Sequence, residues 1–143
     1  MHHVLWAIWP SIPIALNEGL AGYMSERVCK SLRCAGSAIE VLESFRRHRR
    51  KHDMVPNPAT LQRLLSLDAS AFEGPFSSMW YDYSYLLASF IDTGVSGGML
   101  AVGRASRRFS SPSGMEILRS LLVRCPDIEE RWCRWLQEEA TRD

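Results

Sequence analysis

Between Ser77 and Gly94 the chain reads SSMWYDYSYLLASFIDTG, and this stretch limits the possible folds more than any other. At helical spacing Trp80, Tyr83, Leu87, Phe90 and Ile91 fall on one stripe, and Tyr81 and Tyr85 extend it around the cylinder. A helix at the surface of a protein needs an apolar stripe on one side only. This stripe is wider and calls for cover on two sides. The expectation is a helix buried between subunits, with Trp80, Tyr83, Leu87, Phe90 and Ile91 at a dimer interface.

The rest of the chain carries the same period. PSIP, residues 10–13, opens a long helix in which Leu16, Leu20, Tyr23, Met24, Val28 and Leu32 recur on one face. Ala15, Gly19 and Gly22 form a small-residue face on which a second helix can pack closely. A further helix begins at Gly36 and Ser37, with Ile39, Leu42 and Phe45 on its apolar side, and it stops at DMVPNP, residues 53–58. Asn57 is the expected cap of the next helix, with Pro58 in its first turn and Leu61, Leu64, Leu65 and Phe72 facing the core. EGPF, residues 73–76, is a break, and TGVSGG, residues 93–98, is a kink or joint. Beyond it Val95, Met99, Val102, Ser106 and Phe109 hold one face, and Gly94, Gly98, Ala101 and Ala105 a small one. Ser113 with Glu116 has the pattern of a capping box, followed by Leu118, Leu121, Leu122 and Cys125. Pro126 breaks the chain. Asp127 caps a last helix whose apolar edge is Ile128, Trp132, Trp135 and Leu136. No strand pattern of useful length and no internal repeat is present, so the fold class is all-α, with residues 1–143 forming one helical assembly domain.

At 46% apolar residues the chain has enough material for a core. VLWAIWPSIPIAL, residues 4–16, is apolar enough to resemble a signal peptide. Two prolines interrupt it and no basic residue precedes it, so it reads as a buried anchor. Asp92 and Gly94 divide the other long apolar run, and no membrane span is expected.

The formal net charge is only +1, but charge is segregated. FRRHRRKHD, residues 45–53, carries five Lys or Arg against one Asp, and residues 127–143 carry six acids against three Arg. One or two cations suffice to complement the C-terminal end of a helix. The excess points to an anionic partner, RNA or another polyanion, contacted by Arg46, Arg47, Arg49, Arg50 and Lys51. The acids Glu129, Glu130, Glu138 and Glu139 of a neighbouring subunit are the alternative partner. Arginine outnumbers lysine fifteen to two, which suits bidentate phosphate contact.

Catalytic signatures are missing. His48 and His52 stand one helical turn apart, but basic neighbours oppose a cation and no third ligand is evident. The four cysteines, Cys29, Cys34, Cys125 and Cys133, have neither CxxC nor zinc-finger spacing and read as buried thiols. GVSGGMLAVG lacks the lysine and the preceding strand of a phosphate-binding loop. The reading is a protein that is not an enzyme and uses no cofactor and no metal.

Three segments carry a resemblance. AIWPSIPIALNEGLAGYM (7–24) resembles the opening of hepadnavirus core proteins. LAVGRASRRF (100–109) is similar to that family's Gly-Arg joint after an aromatic-rich helix. VRCPDIEERW (123–132) resembles its Arg-Thr-Pro segment, and the order of the three is the same. The nonenveloped fish relatives, the nackednaviruses, are the nearest fit. The resemblance implies a capsid protein in which helical hairpins of two subunits join as a dimeric four-helix bundle with flanking short helices. Residues 36–52 and 58–72 would form one arm and 77–103 the other. Dimers would meet through Pro10, Ser11, Pro126, Trp132 and Trp135 and build an icosahedral shell around RNA. Gly103, Arg104, Arg124 and Cys125 also match the motifs. The implied location is the virion, and the host cytoplasm during assembly. Family cores continue into an arginine-rich tail, whereas this sequence reaches EEATRD without one.

A second resemblance points to apoptosis regulators of the B-cell-lymphoma fold. FIDTGVSGGMLAVG is similar to their first homology motif and RWLQEE to their second, with Gly97 and Met99 where that motif has Trp and Arg. In that fold Arg104, Arg107 and Arg108 would enter a central buried helix, where unpaired charge is costly. A generic helical adaptor is the third reading.

Overall fold

Every regular element among the described residues is helical. The structure, a computed structural model, describes residues 12–31, 60–108 and 112–141. The helices are α1 (Ile14–Ser31), α2 (Leu61–Leu65), α3 (Ser77–Thr93), α4 (Gly98–Arg108), α5 (Gly114–Leu122) and α6 (Ile128–Thr141), with one 3-10 turn at Ala69–Phe72. The all-α expectation is met.

The small-residue face of α1 sets the main packing. A Cβ at Gly19 would stand 1.9 Å from the Ser84 carbonyl oxygen, so only glycine permits this approach of α1 to α3. Two turns further along, Arg27 of α1 meets Asp92 of α3 at 2.5 Å. Both helices advance together between these contacts, so they run parallel. Ala15, Leu16 and Leu20 are buried in the seam, whereas Met24 and Val28, expected on the same face, are 37% and 46% exposed.

α3 is the most enclosed element. Seven consecutive residues, Asp82 to Ala88, are buried, and so are Trp80, Phe90 and Ile91. Covering such a helix removes close to a full side chain's worth of apolar surface at each large residue, about 1.5–3 kcal/mol apiece. The cover comes from α1 on one side, from the 3-10 turn and α2 at the N-terminal end, and from α4 and α6.

The joint after α3 lies where the glycines predict it. The Gly94 N–H donates to the Phe90 carbonyl at 2.7 Å, and Gly97 adopts φ 69°, a left-handed backbone that a side chain would strain. The axis turns by 106° between α3 and α4. The kink expected at 93–98 thus divides residues 77–103 between two helices. Residues 61–72 form a five-residue helix and a separate 3-10 turn.

α2 begins at Leu61, with the Thr60 side chain accepting from the Arg63 N–H at 3.1 Å. The expected cap Asn57 and Pro58 lie outside the described residues. Leu61, Leu64, Leu65 and Phe72 face the core as expected. The Ser113–Glu116 capping box forms reciprocally at the start of α5, with bonds of 3.3 and 2.6 Å. α4 and α5 pack on each other across the short connection 109–113, so they are antiparallel.

Candidate interaction surfaces

The residues expected at the dimer interface are brought together, but inside one chain. Leu87 and Ile91 have no exposed surface, Phe90 has 1%, and Tyr83 and Trp80 are also buried. The physical reason is the fold around α3, whose wide stripe is covered by α1, α4 and α6 of the same chain. A second subunit placed against this face would find almost no apolar surface to cover.

Of the residues expected between dimers, Trp132 is fully buried, with its ring centroid 5.3 Å from that of Phe90. Trp135 is half-buried, stacks on Trp132 at 5.8 Å, and reaches Phe90 at 5.7 Å. Pro126 is exposed in the turn between α5 and α6. Pro10 and Ser11 lie outside the described residues, as do Arg46, Arg47, Arg49, Arg50 and Lys51.

Polar contacts tie the helices into this arrangement. Across α1 and α3 the Tyr23 hydroxyl donates to Asp92 Oδ2 at 2.7 Å, and Arg27 Nη1 donates to both partners. Burial, then the bond to Asp92, push the Tyr23 phenol above its ordinary range. The Tyr85 hydroxyl donates to the buried carboxylate of Glu26. Arg131 of α6 donates to the Gly94 carbonyl at 2.8 Å, clamping the joint, and to Cys125 Sγ at 3.5 Å. Burial raises the Cys125 thiol first, and its bond to Asp127 adds to this.

Glu129 has a role that the sequence did not reveal. Its two carboxylate oxygens accept from the Leu61 and Gln62 N–H groups at 3.0 and 3.3 Å. It thereby satisfies the open first turn of α2, 67 and 68 residues away in the chain. Glu129 is therefore engaged within its own chain and is not a spare acid for a neighbour's basic run.

Two surface features stand out. Leu100 is 54% exposed, Val123 83%, and Leu122 36%. The antiparallel course of α4 and α5 puts these three at the same end of the pair. α5 buries Ile117, Leu118 and Leu121, which turns Leu122 outward. At the other end of α4, Arg104, Arg107 and Arg108 are exposed, as are Arg119 on α5 and Arg124 after it.

No group of three or more His, Cys, Asp or Glu side chains among the described residues could hold a metal ion. No described single helix is long and apolar enough to cross a membrane. Comparison with protein-family models, with curated proteins and with solved structures finds no match to this chain.

Proposed function

We propose that the protein is a non-enzymatic assembly protein of the viral core type, which associates with copies of itself into a shell around RNA. The observation that carries this reading is the exposed apolar end of the α4–α5 pair. Leu100, Leu122 and Val123 together leave large aliphatic surface in water. Apolar surface gathered in this way marks a contact with another protein. The residues first expected at the dimer interface are spent on the fold, so the self-contact moves to this end of the molecule. The order of the core-protein-like segments in the sequence adds the shell and the RNA to this reading.

Dynamic light scattering on the full chain tests it. Val123→Asp adds a charge to an exposed site and spares the core. The wild-type chain is expected as particles far larger than a dimer, and the variant as small species with unchanged helix content. Equal particle sizes for the two would remove Val123 from the contact.

The apoptosis-regulator type of helical fold is the second reading, and the burial pattern weighs against it: that fold would make the helix with Arg104, Arg107 and Arg108 the central one, whereas these three lie exposed and α3 is the enclosed helix. That reading requires a compact monomer that binds an amphipathic helical peptide, which the same scattering experiment separates from a shell.

A further inference from the structure

Tyr23, Arg27 and Asp92 show how this fold pairs an arginine with an aromatic ring and a carboxylate. Arg27 lies over the Tyr23 ring, 5.7 Å from its centroid, and meets Asp92 at 2.5 Å. Near the N-terminal end of α3 two of these three parts recur without the third. Tyr81 is 46% exposed, and Phe72 meets its ring edge-on at 5.1 Å. Burial raises the Tyr81 phenol first, and the charges of Glu18 and Glu73 add to this. The Glu73 carboxylate is exposed and makes no hydrogen bond or ion pair with a described residue. Phe76, three residues further on, is 58% exposed. The missing part is a cation. Residues 64–92 hold Asp68, Glu73, Asp82 and Asp92 and no Lys, Arg or His. Asp68 caps the 3-10 turn, Asp82 is buried and Asp92 holds Arg27, which leaves Glu73 as the open charge of this block.

The block that follows has the opposite sign. Residues 93–115 hold Arg104, Arg107 and Arg108 and no acid. Arg104 and Arg107 are exposed and make no ion pair with a described residue. Arg104 stands one turn from the exposed Leu100, on the solvent side of α4. The two surfaces do not meet within one chain. Tyr81 lies twelve residues before Thr93, where α3 ends, which is about 18 Å at the rise of a helix, and α4 leaves that end at 106°. Two copies set head to tail bring them together. We infer that α4 of one copy, through Leu100, Arg104 and Arg107, docks on the Phe76, Tyr81 and Glu73 surface of a second copy. An arginine over the Tyr81 ring with its guanidinium on Glu73 repeats the Arg27 arrangement. Leu100 gains the Phe76 ring as cover. The contact joins two different surfaces, so every copy added keeps one of each kind free, and growth continues past the dimer until a ring or shell closes. This inference rests on the self-assembly reading for its partner and adds the surface that receives the apolar end of α4.

Charge reversal tests the contact, because two reversed surfaces restore together what each destroys alone. Glu73→Arg and the double variant Arg104→Glu with Arg107→Glu are followed by sedimentation velocity on the full chain, alone and mixed in equal amounts. Like charges brought face to face in a contact are strongly unfavourable, so each variant alone should lose species larger than a dimer by about tenfold or more. The mixture should recover them. The intact arginines of the first variant find Glu73 of the second, and the reversed pair matches as well. All three altered sites are exposed, so thermal melts should stay near wild type. Glu130→Arg changes the net charge as Glu73→Arg does, at an exposed site on α6, and should assemble as wild type. Wild-type assembly of either charge-reversed variant alone overturns the inference. So does a mixture that stays small although both variants melt as wild type. A loss in Glu130→Arg equal to that in Glu73→Arg overturns it too, since net charge alone would then be at work. If the wild-type chain forms large particles that Val123→Asp breaks and charge reversal leaves whole, self-assembly stands and this contact falls. If charge reversal and mixing respond as expected while Val123→Asp assembles normally, this contact stands and Val123 leaves the interface. A wild-type chain that stays monomeric overturns both.

Discussion

Phe90 of α3 and Trp132 of α6 meet with ring centroids 5.3 Å apart, and together they retain almost no surface, 1% and 0%. This contact joins the central helix to the last one and explains why two expected interface residues are internal. It also separates the two tryptophans of α6. Trp132→Ala should cost about 3–5 kcal/mol, the usual loss for a large buried aromatic. Trp135→Ala, at a half-buried site, should cost clearly less and act mainly on association. Urea unfolding of both variants, with particle size measured alongside, checks the split. Equal losses of stability would contradict it.

Gly19 gives a sharper test of the α1–α3 packing. A methyl group there would collide with the Ser84 carbonyl, whereas at Gly22 its nearest neighbour, a Tyr85 ring carbon, is 3.5 Å away. Gly19→Ala should destabilise the protein by about 1–3 kcal/mol or more, because two backbones must separate. Gly22→Ala should be tolerated, and slightly stabilising where helix propensity dominates. Denaturant midpoints of the two variants decide between this packing and a looser one.

Glu129→Gln should weaken the attachment of α2 to α6. The amide retains one acceptor oxygen for two N–H groups and loses the charge that favours a helix N-terminus, an effect of about 1–2 kcal/mol. Hydrogen exchange at the Leu61 and Gln62 amides should speed up, with the α1–α3 amides much less affected. No change at Leu61 and Gln62 would mean that Glu129 does not hold them.

The helices themselves were legible in the sequence, because apolar periodicity and caps are local signals. Ser113 with Glu116, the joint near Gly97 and the close-packing face around Gly19 all lie where residue type and spacing place them. Long-range partners were not legible. Nothing in the text around Glu129 marks it as the cap of a helix 67 residues away. The stripe on α3 showed that it needed cover on two sides, but periodicity cannot say whether that cover comes from the same chain or from another.

Alkaline pH should weaken the α1–α3 seam. The folded protein raises the Tyr23 phenol above the usual value near 10, through burial and then its bond to Asp92. A group raised in the fold contributes its full stabilisation below its unfolded value and loses it as pH rises through the folded one. Tyr23→Phe should therefore cost about 1 kcal/mol or less at neutral pH, the site being partly open to water. It should also flatten the decline of stability above about pH 10. Chemical denaturation of both proteins across the alkaline range gives the comparison. Parallel curves would exclude Tyr23 as the source of the decline.

Sedimentation velocity of the full chain, with and without single-stranded RNA, reads self-assembly from mass alone. The expected result is a dominant species many times the mass of a single chain, sharpened by RNA and reduced to small oligomers by Val123→Asp. A compact monomer at every protein concentration and RNA ratio would contradict it.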